Sequence, residues 1–203
     1  MIFISSQVSD GNMDFRFGPT QEVLQNRKKF FEKWVRNDEI AELEQIHSNK
    51  VVVVKEHPDP NTKGDALISN NPNFVLMVKV ADCIPVGLYD PQNKAIGLIH
   101  AGSKGLQKGI IKNAIQKMKK HFGSNPKNLL AKLGPSIGPC HYRLNIWQEA
   151  EKQLIDCGIL KENMDNPKIC TYENMNYFSH RRAEDTNQKE GRFVTILGLK
   201  NVN

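Results

Sequence analysis

The segment ADCIPVGLYDPQNKAIGLIHAG, residues 81–102, sets the expected architecture. Aliphatic and β-branched residues flank Asp90-Pro91-Gln92-Asn93, and Asp then Pro suits the first two positions of a turn. The segment therefore reads as two strands, Val86–Tyr89 and Ala95–Ile99, closed into a hairpin. Folding about the Pro91–Gln92 midpoint sets Cys83 opposite His100. Directly opposed side chains share a sheet face with Cβ atoms about 4.5–5.5 Å apart, so the two could hold one ion. Pro85 lacks an N–H and is expected to leave this strand end at an edge or bulge. A slip of one residue would turn Cys83 to the other face.

On the N-terminal side, apolar residues from Thr20 to Val35 recur at helical spacing, with Thr20 placed as the N-cap. His47 then falls at the edge of a turn before a β-branched run, Val51–Val54. Phe74–Val80 reads as another strand. On the C-terminal side, Leu106, Ile110, Ile111, Ala114, Ile115, Met118 and Phe122 make the apolar stripe of a helix that Gly123 and Pro126 end. A strand over Leu129–Leu133 leads into the tight loop GPSIGPC. Asn145 caps a helix that runs to about Cys157, and a closing strand spans Arg192–Leu199. Residues 162–188 carry no clear pattern. The mixture is α/β in the broad, mixed α+β sense.

The chain has 203 residues, 39% of them apolar. That suffices for one substantial core, and a single domain over residues 1–203 is expected. The opening MIFISSQVSDG has a four-residue apolar run with no basic stretch before it, so it does not read as a signal peptide, and a cytoplasmic protein is expected. No apolar run has the length of a membrane span. Four scattered cysteines in a chain of this size are expected to be thiols. The net charge is +6. The excess is mostly lysine, and the lysines at 108, 112, 117, 119 and 120 lie off the helix stripe, as on a solvated face. Neither nucleic acid nor membrane is an expected partner.

Zinc accepts imidazole and thiolate together, and three protein ligands leave one position for water or substrate. His47, Cys83 and His100 could form such a set, although their spacing alone does not distinguish it from a small buried thiol beside a core histidine.

The blocks QIHSNKV, GDALIS, ADCIPVGLYD with IGLIHAGSKGL, and LGPSIGPC, in this order between residues 43 and 144, resemble the YfiH/YlmD family. Its members have been called laccase-domain or polyphenol oxidase proteins and also purine nucleoside phosphorylases. The resemblance implies zinc on His47, Cys83 and His100, and a layered α-β-β-α sandwich. It also implies phosphorolysis of adenosine, inosine and related nucleosides such as methylthioadenosine, with adenosine deamination. Purine nucleoside and phosphate would be its partners.

Asp82 is a candidate for orienting the site or moving a proton. Where the family usually has Trp and Arg after HAG, this chain has Ser103 and Lys104; the lysine keeps the charge but loses the planar fork, and is a candidate phosphate contact. Three other functions compete. They are a cysteine hydrolase using Cys83 and His100, a copper-dependent phenol oxidase, and a non-enzymatic zinc-stabilised module linked to the cell envelope.

Overall fold

The computed structural model describes residues 1–35, 40–59 and 61–199. Among the described residues ten strands form two sheets. The four-stranded sheet has the order β1 (Ile2–Ser5), β10 (Phe193–Gly198), β5 (Val75–Val80), β2 (Ile40–Ala41). The six-stranded sheet runs β3 (Val51–Val53), β4 (Ala66–Ser69), β7 (Ala95–Ala101), β6 (Ile84–Asp90), β8 (Leu130–Leu133), β9 (Met164–Asp165). Both are mixed, with β2–β5, β3–β4 and β8–β9 parallel and the other pairs antiparallel.

Strand alternation assigns each face. On β7, Ala95, Ile99 and Ala101 point to one side, where they pack against α2 (Ser103–Gln107), α3 (Ile110–Phe122) and α4 (Ile146–Asp156). Ile96 and Leu98 point to the other and meet Leu76, Val78, Phe193 and Leu197 of the second sheet. The far side of that sheet, with Met77 and Ile196, is covered by Phe30 and Phe31 of α1 (Thr20–Phe31). The layers are therefore α1, sheet, sheet, helices: the expected α-β-β-α sandwich. β7 is covered on both faces, which is why it reads as a continuous apolar run. Truncating one of its large aliphatic residues to Ala would cost about 2–5 kcal/mol.

Several boundaries differ from the sequence reading. The first helix ends at Phe31, and Thr20 is its first residue, behind Pro19, with no side-chain cap. The single helix expected over Leu106 to Phe122 is two, α2 and α3, broken at Gly109, whose φ of +71° belongs to the left-handed region that favours glycine. The cap at Asn145 is present, its side chain accepting the Gln148 N–H.

The hairpin register is the main correction. Asp90 pairs with Ala95 and Pro85 with His100, a shift of two residues. Asp90 Oδ1 accepts the N–H groups of Gln92 and Asn93 at 3.0 and 3.1 Å, which moves the loop to residues 91–94. A shift of two preserves side-chain facing. Cys83 thus stays on the His100 side, diagonal rather than opposite. Pro85 lies inside β6, not at a free edge. Its carbonyl takes the Gly134 N–H at 2.9 Å, and the β6–β8 pairing begins one residue later at Val86.

Candidate metal centre and cavity

By alternation His100 faces the layer between the sheets, and Cys83, just before β6, packs against the same layer. His47 approaches from the loop before β3. Its φ is +56°, a strained value for a residue with a Cβ, costing about 1–2 kcal/mol. Asp65 holds that loop. Its carboxylate accepts the N–H groups of His47 and Ser48 at 2.9 and 2.6 Å and the Ser48 hydroxyl at 2.7 Å.

The same fully buried carboxylate lies 3.0 Å from His100 Nδ1, and the Asp65 carbonyl accepts the His100 N–H at 2.7 Å. A carboxylate in this state only accepts, so Nδ1 is the protonated nitrogen and Nε2 is left as a donor for metal. Burial alone would raise the Asp65 pKa; the bonds from His100 and Ser48 outweigh it and hold it at about 2.

The donor atoms of His47, Cys83 and His100 lie within 4.8 Å of one another, and the two rings meet edge to face at 4.9 Å. Burial pushes the Cys83 thiol up, but the neighbouring His100 charge and hydrogen bonds from His100 and His47 bring it well below the usual thiol range. Burial would lower His100, and the Cys83 and Asp65 charges raise it instead. A thiol beside two imidazoles, one oriented through its Nδ1 by Asp65, is the donor set that zinc takes, the metal displacing the remaining protons. Gly102 completes the fit, since a Cβ there would come within 2.7 Å of Cys83 Sγ.

The cluster opens into a cavity of about 330 Å³, within the range of small-molecule sites. Its rim is cationic. Arg16 and Lys79 are paired with Asp14 and Glu42, and Arg192 with Glu190. Lys104, exposed at the start of α2, lines the same cavity with no ion-pair partner among the described residues.

Asp82 lies on the cavity wall but is turned to other work. Its oxygens accept from the Thr171 hydroxyl and from the Arg181 N–H, both at 2.7 Å, the latter in the first turn of α5 (His180–Thr186). The chain departs from regular strand geometry at Asp82 itself, with φ +80°, and not at Pro85.

A family model described as "Multi-copper polyphenol oxidoreductase laccase" matches residues 4–145 and 141–200. The chain belongs to this laccase-like family. Among its relatives, the protein of Escherichia coli named purine nucleoside phosphorylase YfiH is 30% identical, over 87% of this chain and 81% of its own length. Purine nucleoside phosphorylase YlmD of Bacillus subtilis is 27% identical, over 88% and 78%. The crystal structure of a hypothetical protein YfiH from Bacillus licheniformis superimposes with a TM-score of 0.86 at 27% identity, covering 93% of this chain and 85% of that one.

Four residues beyond the expected set also shape the site: Asp65, Tyr142, His180 and Arg181. Asp65 sits within the GDALIS block, and a single acid at the head of an apolar strand was the signal available. Tyr142, whose hydroxyl donates to Ser103 Oγ at 3.2 Å, also lines the cavity, as do His180 and Arg181. The last two lie in residues 162–188, the stretch without a readable period.

Proposed function

We propose that this chain is a zinc-dependent purine nucleoside enzyme. It cleaves adenosine or inosine with phosphate to the free base and ribose 1-phosphate, and deaminates adenosine as a second reaction. The observation that carries this reading is the opening of a three-donor centre, His47, Cys83 and His100, into a cationic cavity of nucleoside size. The names of the relatives supply the substrate class. Zinc bound there supplies a Lewis acid with one coordination position left over.

The rest falls to the protein. Asp65 keeps His100 Nε2 directed at the centre and fixes the backbone of His47. Lys104, the rim cation without a partner, contacts phosphate as a point charge. Asp82 acts as a positioning residue, tying the cavity wall to Thr171 and the start of α5. Incubation of metal-replete protein with adenosine and phosphate tests the proposal. Adenine, ribose 1-phosphate and inosine are the expected products, and absence of all three would favour a non-enzymatic module.

One arrangement favours a second reading. Asp65, His100 and Cys83 stand in the order of an acid–histidine–nucleophile triad, the layout of a cysteine hydrolase. A third donor, His47, within hydrogen-bonding reach of the same thiol is what a metal needs and a nucleophile does not. Stoichiometric zinc in active protein separates the two.

A further inference from the structure

A second thiol–imidazole cluster lies behind the cavity wall. The tight loop after β8 and the segment around Cys170 are joined at Ser136, whose N–H donates to Ile169 O and whose carbonyl accepts the Thr171 N–H, both at 3.1 Å. This bridge brings exposed Cys140 to buried Cys170, with Sγ to Sγ 3.7 Å. The Gly138 N–H donates to Cys170 Sγ at 3.2 Å, which orients this sulfur. His141 stacks on Tyr172 at 3.8 Å with 12° between the rings, which fixes its plane. Its Nδ1 is buried without a hydrogen-bond partner, and the nearest acid, Glu173 Oε1, is 4.0 Å away.

The ligand atoms of Cys140, His141 and Cys170 lie within 4.8 Å of one another. Two sulfurs on a tetrahedral zinc, each about 2.3 Å from it, stand about 3.8 Å apart. A disulfide would hold them at about 2.0 Å. The observed 3.7 Å is a thiol–thiol contact that also fits two ligands of one ion, and the imidazole nitrogen without a partner is a third donor.

We propose that Cys140, His141 and Cys170 form a second metal site of the zinc class, structural rather than catalytic, which the exposed Glu173 side chain closes by rotating in as the fourth ligand. Thiolate and imidazole select zinc over calcium or magnesium, and four protein ligands would complete the coordination sphere. The site clips together the two segments that supply Ile137 and Tyr142 to the cavity wall and Thr171 to Asp82. Its occupancy therefore rigidifies that wall. It stands independently of the reaction proposed above.

Metal counting on the full chain, purified under reducing conditions and loaded with zinc, tests the site. Native mass spectrometry should find two zinc ions in the wild type, one in Cys83→Ala, one in Cys140→Ser, and none in the double variant. With cobalt alone, Cys83→Ala should show thiolate-to-cobalt charge-transfer absorption that Cys140→Ser removes. Cys140 is exposed, so its replacement avoids the folding risk at buried Cys170. The proposal is overturned if Cys83→Ala binds neither metal, or if its bound ion survives Cys140→Ser. It is equally overturned if the two thiols form a disulfide whose reduction brings no metal uptake. Two ions retained by Cys83→Ala would instead contradict the first centre, so the two failures are distinguishable.

Discussion

The carboxylate of Asp65 reaches both histidines of the candidate centre, accepting the His47 N–H at 2.9 Å and lying 3.0 Å from His100 Nδ1. One buried group thereby sets the orientation of one ring and the backbone conformation of the loop that bears the other. Asp65→Asn would present an amide N–H₂ to donors that need an acceptor. Metal affinity should fall about 10–100-fold, as for loss of a carboxylate that orients a metal-bound histidine. Competition with a chromophoric chelator reads the change; affinity within twofold of the wild type would contradict the role.

Cys83 should be the most reactive thiol of metal-free protein at neutral pH. The histidines lower its pKa, whereas burial raises the Cys157 thiol and burial together with Cys170 raises Cys140. Peptide mapping after brief iodoacetamide treatment should find Cys83 modified first, with zinc protecting it and His100→Ala slowing it. Equal labelling with and without zinc would argue against a metal on this sulfur.

Glu42 ties α1 to β5. Its carboxylate takes Arg27 Nη1 at 2.6 Å and Lys79 Nζ at 2.7 Å. Burial raises its pKa, but Lys79 and Arg27 together depress it below the ordinary 4.5. Because the folded pKa is the lower one, the stabilisation is fully present above about pH 4.5 and is lost as pH falls through the folded value. Glu42→Gln should cost about 2 kcal/mol at pH 7 in urea unfolding, and the gap to wild type should narrow below pH 4.5. A constant gap down to pH 3 would show that the charge is not what matters.

Lys104→Ala should raise the KM for phosphate roughly tenfold, the loss of one charge-assisted contact, while the nucleoside KM changes little. Unaltered phosphate saturation would remove Lys104 from the site.

Much of the sandwich could be read from the sequence because its periodicities are strong: the α3 stripe and the flanking runs of β6 and β7 fall where expected. The hairpin register could not be, since it depends on the Asp90 side chain capping the loop amides, a local bond that leaves no period. The expected pairing of Cys83 with His100 gives way to Pro85 with His100, but the two side chains keep one face because the error was two residues and not one. His47 is a candidate whose only support beyond residue type comes from the family blocks, as its approach runs through a left-handed backbone held from 18 residues away by Asp65. His180 and Arg181 reach the cavity on a short helix whose sequence carries no apolar stripe.

The most direct test measures zinc content and phosphorolysis on the same samples of wild type and Cys83→Ala, each titrated with zinc after chelation. The account predicts wild-type release of adenine and ribose 1-phosphate that rises in proportion to zinc at the first centre. Cys83→Ala, folded by circular dichroism, should lack both that ion and the activity. Phosphorolysis at the wild-type rate in folded, zinc-free Cys83→Ala would contradict it.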